Sequence, residues 1–188
     1  GVRNRWFTKG FDRGDWLKVE VPTTVQNALL KHGKMKDPFW DTNTWDELQN
    51  HGMPKELTWY RRKTRIKSKE WWFARKFTVT DEWKGQHIRL NFHGIDYAGS
   101  FYLNGHPLGY HAGMFGGPSF DISQLVCFGG QQNEIVVRLD PVTDTWYGYL
   151  KGSPGWGWHY GHLISIGIWK DVDIELVPEV ELKDPFVK

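Results

Sequence analysis

Glycine and aromatic residues dominate the segment from Pro154 to His162, which reads Pro-Gly-Trp-Gly-Trp-His-Tyr-Gly-His. This composition does not suit one regular helix or strand, so we predict an aromatic loop. Aromatic ring faces stack on the apolar C–H faces of sugars, while histidine and tyrosine supply hydrogen-bonding groups. The loop therefore has the chemistry of a sugar-binding site. The residues that we expect to contact a sugar are Trp156, Trp158, His159, Tyr160 and His162.

The spacing of His159 and His162 also occurs among metal ligands, but no third ligand lies nearby in the sequence. No dense acidic loop of the kind that binds calcium is present either. We therefore expect no metal and no cofactor.

A predicted strand follows the loop and could hold it in place. From Ile168 to Leu176 apolar and polar residues alternate, with one break from Trp169 to Asp171. Loops carried on rigid strands often hold binding residues. Within this strand Trp169 is expected in the core. A surface loop is predicted for the residues before the aromatic loop, or alternatively a contact with a neighbouring domain; these residues are Asp144, Trp146 and Tyr147.

The rest of the chain predicts short strands and one helix. Thr24 can cap a helix from Val25 to His32, and Gly33 can end it. Asn104-Gly105 is a strong signal for a hairpin turn. Many short strands with almost no helix are typical of an all-β sandwich or barrel. Strands are predicted over residues 16–21, 72–79, 87–92, 100–103, 107–111, 119–123 and 133–140.

Two further segments are candidates for contacts at the edge of the fold. Residues 34–70 show little helical or strand periodicity. They contain Asp37 and Trp40, which are candidates for structural contacts between domains. His111 to Met114, before a pair of glycines, is a candidate second loop at the rim.

Composition restricts the classes of function. The 188 residues fit one domain, or one domain with a few residues of the next, and aromatic residues make up 16%. A net charge of +2, with acids and bases mixed, argues against nucleic-acid binding, and the basic run at residues 61–67 is expected to be solvated. No apolar run is long enough to span a membrane.

The single cysteine, Cys127, excludes an internal disulfide and is expected to be a buried, inert thiol.

Eight segments, in order along the chain, resemble the N-terminal sugar-binding domain of glycoside hydrolase family 2, which includes β-galactosidases, β-glucuronidases and β-mannosidases. The closest resemblance is to the β-mannosidase-like branch. The segments that carry the resemblance are Val21–Val25, Asp37–Phe39, Trp71–Phe77, Leu90–His93, Phe101–Gly105, Phe120–Ser123, Asn133–Val137 and Gly167–Val172.

The resemblance implies a galactose-binding-like jelly-roll β-sandwich over residues 1–178. Residues 179–188 would form a linker and the start of a following immunoglobulin-like domain. In the family, two catalytic glutamates lie in a later (β/α)₈ barrel, so this chain would hold no catalytic residue and its parent would be a retaining β-glycosidase. The implied partners are a carbohydrate (β-glycoside) substrate and the parent's own immunoglobulin-like and barrel domains, with no nucleic acid and no membrane.

In β-mannosidase-like members a Gly-Trp-Asp-Trp segment of this domain reaches the substrate pocket. The corresponding residues here are Gly155 to Trp158, and Gly157 stands at the aspartate position. The carboxylate that the resemblance would supply to a sugar hydroxyl is therefore absent.

Three functions remain open at this stage. The chain is an accessory domain of a glycosidase, an independent carbohydrate-binding module, or a purely structural domain between others. No signal peptide is recognised at the start of the chain, which lacks an initiator Met and suggests a processed or excised piece. The chain does not determine its compartment, and a periplasmic or secreted location is favoured for the parent.

Overall fold

The computed structural model describes residues 1–37, 69–141, 165–181 and 186, together with the backbone of Ile66–Lys67 and Thr143–Asp144. Within this part of the chain, one α-helix accompanies twelve strands. The helix is α1 (Val25–Lys31), and the strands are β1 (Thr23–Thr24), β2 (Ile66–Lys67), β3 (Trp71–Phe77), β4 (His87–Phe92), β5 (Ile95–Asp96), β6 (Ala98–Leu103), β7 (His106–Ala112), β8 (Ser119–Asp121), β9 (Asn133–Leu139), β10 (Thr143–Asp144), β11 (Gly167–Ile168) and β12 (Val172–Val177).

Two antiparallel sheets enclose the core. One has the strand order β3-β9-β6-β7 and the other the order β12-β4-β8. Phe101 of β6 meets Phe92 of β4 with ring centroids 4.7 Å apart, and Phe120 of β8 with centroids 5.2 Å apart. The predicted β-sandwich with one short helix is therefore confirmed. A smaller sheet, β1-β11-β5, and the pair β10-β2 complete the strands.

The helix begins where its predicted cap lies. The Thr24 side chain accepts a hydrogen bond from the Asn27 N–H at 3.1 Å, which satisfies one of the donors at the helix start. The buried side chains are those of Val25, Ala28 and Leu29. At the other end Gly33 has a φ of +62°, the left-handed conformation that commonly ends helices.

The β6–β7 hairpin also has its predicted turn. Asn104 and Gly105 both have positive φ, at 52° and 85°, as a tight two-residue turn requires. Asn104 contributes more than the turn, because its side-chain amide donates to Asn133 Oδ1 at 2.8 Å. The turn is therefore tied to the start of β9.

Two predicted strands differ from the structure. No strand forms over residues 16–21, where Leu17, Val19 and Val21 border a cleft of about 1000 Å³ that opens between β3 and β12. The alternating segment from Ile168 to Leu176 is two strands in two sheets, because the chain turns out of β11 at Trp169 to Asp171 before β12 begins. The break in the alternation marks this change of sheet.

The N-terminal residues cover part of the outer face of the four-stranded sheet. Phe7 stacks on Tyr102 of β6 with centroids 4.8 Å apart, and Trp6 meets Trp72 of β3 edge to face at 5.7 Å. Val136, which points to this face from β9, is buried. Alternation in β9 predicts that one face of the strand is buried. The N-terminal residues from Trp6 to Arg13, called the N-terminal cover below, bury most of the other face as well.

The outer face of the three-stranded sheet carries a polar network. The Asn91 amide donates to Asp173 at 3.0 Å and to Glu175 at 2.8 Å. Arg89 binds both oxygens of Glu181 at 2.8 and 2.7 Å, and this bond raises the pKa of its guanidinium. The chain therefore folds back over this face after β12. The boundary predicted at residue 178 stays a prediction.

Cys127 is a free, half-buried thiol rather than a fully buried one. The Lys9 ammonium donates to its sulfur at 3.6 Å. The cysteine N–H donates to Asn133 Oδ1 at 2.7 Å, so the residue is held beside the start of β9.

Candidate functional site

The five residues predicted to contact a sugar lie outside the described residues: Trp156, Trp158, His159, Tyr160 and His162. The same holds for Trp40, Trp146, Tyr147 and the side chain of Asp144. The structure does describe both ends of the segment that contains the aromatic loop. The described residues on its two sides are β10 (Thr143–Asp144) and the chain from Ser165 onward.

The departing end is held by a short strand pair. Thr143 of β10 is in register with Lys67 of β2, and Asp144 with Ile66. The basic run at residues 61–67, predicted as a solvated loop or edge strand, thus ends in a two-residue strand. This pair is the last described part of the chain before the aromatic segment.

The returning end is fixed by hydrogen bonds to a buried carboxylate and to the helix. The Ser165 hydroxyl donates to Asp96 Oδ2 at 2.8 Å, and Asp96 in β5 is only 3% exposed. The Ile166 N–H donates to Gln26 Oε1 at 3.3 Å, and the Ile166 carbonyl accepts from the Val25 N–H at 2.7 Å. Residues far apart in the sequence therefore hold the chain in place just after the aromatic segment.

Gly167 permits the close packing of this anchor. It lies in β11, in register with Thr24 of β1 on one side and Asp96 of β5 on the other. A Cβ atom at this position would lie 2.3 Å from the Thr23 carbonyl oxygen and 2.6 Å from the Thr24 Cα. Any larger residue would force the backbone strands apart.

Trp169 is half-buried and joins the returning end to a second loop. Its indole N–H donates to the Met114 carbonyl at 3.0 Å, and its backbone N–H donates to the Gly94 carbonyl at 3.1 Å. Trp169 is therefore a bridge at the edge of the fold rather than the core residue predicted. The ring of Phe115, next to Met114, is exposed.

The candidate rim loop from His111 to Met114 is partly strand. His111 and Ala112 end β7, and the Gly113 N–H donates to the Tyr97 carbonyl at 2.9 Å. Only the residues after Ala112 turn toward Trp169. Of the two residues predicted to contact a neighbouring domain, Asp37 and Trp40, the structure describes Asp37, and its side chain is exposed.

Sequence reasoning missed Asp96 and Phe115. In the sequence, Asp96 lies between the apolar-rich segments that form β4 and β6. No local pattern identifies it as a binding residue, because its partner Ser165 is 69 residues away. Phe115 lies among glycines and resembles a core aromatic in the sequence.

Within the described ranges, no group of three or more His, Cys, Asp or Glu side chains is placed to hold a metal ion. His159 and His162 lie outside those ranges. None of the helical residues that the structure describes forms a span long and apolar enough to cross a membrane.

Comparison with protein families gives a match that covers most of the chain. A family model described as "Glycosyl hydrolase 2 galactose-binding domain-like" matches residues 6–146. This range contains α1 and the strands from β1 to β10, and thus every strand of the four-stranded sheet.

Individual proteins similar to the chain are much longer than it. Mannosylglycoprotein endo-beta-mannosidase from Lilium longiflorum is 31% identical over 126 residues, which are 67% of this chain and 12% of that protein. Exo-beta-D-glucosaminidase from Streptomyces avermitilis is 26% identical over 187 residues, which are 95% of this chain and 18% of that protein. The chain thus spans less than a fifth of either relative.

A solved structure shows a similar fold. The crystal structure of a beta-D-mannosidase from Dictyoglomus thermophilum superposes with a TM-score of 0.63 and 27% identity, covering 84% of this chain and 20% of that chain. The similarity therefore extends beyond the residues that the family model matches.

Proposed function

Because the chain belongs to the glycosyl hydrolase 2 galactose-binding domain-like family, we propose that it is the non-catalytic N-terminal sugar-binding domain of a larger β-glycosidase. The family match over residues 6–146 carries this proposal. The relatives named above are glycosidases, and the chain spans only 12–20% of their lengths. Catalysis is then the task of other domains of the parent, an immunoglobulin-like domain and a (β/α)₈ barrel in the arrangement that the resemblance implies.

The aromatic loop would be the part of this domain that enters the parent's substrate pocket. Trp156 and Trp158 would form walls of the pocket, and His159, Tyr160 and His162 would supply hydrogen bonds. Two observations support this role: the strand pair at Asp144 and the hydrogen bonds of Ser165 and Ile166 hold the chain on the two sides of the segment that contains the loop. A loop with fixed ends loses less conformational entropy when it binds, which favours a contribution to affinity.

The substrate class best supported is a β-linked mannoside or glucosaminide. The names of the relatives indicate these sugars, and the superposed structure is that of a beta-D-mannosidase. Since Gly157 supplies no carboxylate, the histidines and the tyrosine of the loop would bind the hydroxyl groups.

The test is made on the full-length parent with 4-nitrophenyl β-D-mannoside and 4-nitrophenyl β-D-glucosaminide. Trp156→Ala and Trp158→Ala should each lower kcat/KM about 100-fold, because loss of a pocket wall misplaces the substrate. The control is Leu30→Ala, which truncates an exposed apolar side chain on α1 and should leave kcat/KM unchanged. All three variants should unfold at the temperature of the parent within about 2 °C.

Other outcomes would support the remaining functions. Unchanged kcat/KM in both tryptophan variants would favour a purely structural domain. Millimolar binding of a monosaccharide by the 188-residue chain, abolished by Trp156→Ala, would favour an independent carbohydrate-binding module, because a domain with half of a pocket should bind monosaccharides weakly.

A further inference from the structure

One end of the outer face of the four-stranded sheet extends beyond the aromatic contacts of the N-terminal cover. The cover meets this face at Trp72 and Tyr102, and Arg13 binds Glu134 of β9 at 2.7 Å. Toward the other end of β9, a row of four residues in register on adjacent strands begins at Trp72, which the cover contacts, and runs out to the edge strand β7, with each residue about 5 Å from the next. The row consists of Trp72, Arg138, Ser100 and Tyr110.

Tyr110 is the open end of this row. Its side chain is on the edge strand β7, and the residue is 61% exposed. Its hydroxyl group lies close enough to the carboxylate of Asp140, which follows β9, for the two groups to interact electrostatically. Tyr110 and Arg138 are both in register with Ser100 of β6, so they lie on the same face of the sheet, on the two strands that flank β6. Partial burial and the negative charge of Asp140 raise the pKa of the Tyr110 hydroxyl.

Asp140 and Arg138 are held in one geometry. The Arg138 Nε and Nη2 atoms both donate to Asp140 Oδ1, at 3.1 and 2.5 Å, and both side chains are more than three-quarters buried. A flexible surface pair would contribute little, but two hydrogen bonds join this pair and both of its side chains are largely covered. A donor and an acceptor therefore stand in fixed positions, and the aromatic ring of Tyr110 lies on the same face of the sheet.

This combination matches the two chemical faces of a sugar. The C–H face of a pyranose ring can lie on an exposed aromatic ring, as apolar surfaces do when they leave water. Adjacent hydroxyl groups of the sugar can donate to a carboxylate and accept from a guanidinium. The charges of Arg138 and Asp140 cancel, so the cluster offers no net attraction to an anionic ligand.

We propose that Tyr110, Arg138 and Asp140 form a carbohydrate-binding site on the outer face of the four-stranded sheet, for a neutral glycan. The tyrosine ring stacks on one sugar unit, and the Arg138–Asp140 pair binds two neighbouring hydroxyls of it. The site uses none of the aromatic-loop residues. The 188-residue chain therefore binds oligosaccharides here whether or not the loop enters a substrate pocket.

The test is a titration of the ¹⁵N-labelled 188-residue chain with β-1,4-mannotriose and with chitotriose, followed by amide chemical shifts. Binding with a Kd of about 1 mM is expected for at least one of the two probes. The shifts should centre on the amides of β7 and of residues 138–140. Glucuronic acid, which carries a carboxylate, should bind at least about tenfold more weakly than the better neutral probe.

Variants locate the site. Tyr110→Ala and Asp140→Asn should each raise the Kd about tenfold, whereas Tyr110→Phe, which keeps the ring, should change it less than threefold. Phe115→Ala, which removes another exposed aromatic ring, and Trp158→Ala should leave the Kd unchanged. Unchanged amide spectra away from each substitution show that the variants fold.

Three results would overturn the proposal. They are no binding of either trisaccharide at about 20 mM, twenty times the expected Kd, binding that survives Tyr110→Ala, and binding that Trp158→Ala abolishes. The last result would place the sugar on the aromatic loop. The proposed role of the loop in the parent enzyme is tested separately by kcat/KM, so either proposal can fail without the other.

Discussion

Arg13 joins the N-terminal residues to the sheet. Its guanidinium donates to Glu134 at 2.7 Å and to the Trp6 carbonyl at 2.5 Å, and the Gly10 N–H donates to the other oxygen of Glu134 at 3.0 Å. The Arg13 and Glu134 side chains are only 10% and 4% exposed. A charge this far from water is stable only with its partner in place.

Removing Arg13 should therefore destabilise the chain strongly. We expect Arg13→Met to lower the free energy of unfolding by about 3–5 kcal/mol, because Glu134 would be left as a buried charge without its cation. Urea denaturation followed by tryptophan fluorescence measures this change. The double variant Arg13→Met/Glu134→Gln should recover part of the loss, and Arg3→Ala, an exposed position, should lose none. A loss below about 1 kcal/mol in Arg13→Met would show that the pair contributes as little as a surface ion pair.

At the scale of the elements, β11 is the first strand after the aromatic segment. Its first position, Gly167, has room only for glycine. Gly167→Ala should lower the free energy of unfolding by at least about 1–3 kcal/mol, because the added carbon meets the Thr23 backbone rather than a movable side chain. Thermal unfolding followed by circular dichroism measures it. The matched control is Gly14→Ala, where the added carbon would meet only the side-chain oxygen of Asp12 at 3.3 Å. A melting temperature within about 1 °C of the original would contradict the close packing of β1 and β11.

The polar face of the three-stranded sheet should make the chain sensitive to acid. Burial raises the pKa of Asp173, but hydrogen bonds from Asn91 and His93 outweigh it, so this pKa lies below its ordinary value. Hydrogen bonds from the Ser123 hydroxyl and N–H lower the pKa of Asp121. Both carboxylates then bind protons more weakly in the folded than in the unfolded state. Their contribution to stability is present above the unfolded value of about 3.9 and is lost as the pH falls through the folded values.

Urea midpoints measured from pH 6 to pH 3 should show this loss. We expect the midpoint to fall less in Asp121→Asn/Asp173→Asn than in the original chain, because the amides do not titrate. Asp15→Asn, at an exposed position, should keep the original pH dependence. Equal slopes in all three proteins would show that the two carboxylates do not control acid stability.

Local signals explain which elements were predictable. Thr24, Gly33 and Asn104-Gly105 act through bonds and torsions within a few residues, and the helix and hairpin formed as predicted. Residues 16–21 were predicted to form a strand, but a strand also needs a neighbouring strand to pair with. Alternation of apolar and polar residues carries no information about such a partner. The alternation in β9 likewise could not reveal a cover supplied by residues more than 120 positions earlier.

At the scale of the whole molecule, ordered family resemblance predicted more than periodicity did. Eight short segments indicated the sandwich and the family, and the match over residues 6–146 confirms the family. The site was less predictable. The choice of Trp156, Trp158, His159, Tyr160 and His162 stays a prediction, whereas Asp96, Phe115 and Tyr110 became candidates only through contacts and exposure in three dimensions.

The bond between Arg13 and Glu134 also has a consequence for folding during synthesis. After Arg13 the ribosome must add 121 residues to reach and include Glu134, which takes about 6–24 s at typical rates of translation. Throughout that time Trp6 and Phe7 lack their places on the sheet, because β9 has not yet been made. The part of this chain that is translated first is thus among the last to reach its final position. Nascent chains that are stalled before Glu134 should present these aromatic residues to chaperones, and chains released after β9 should not.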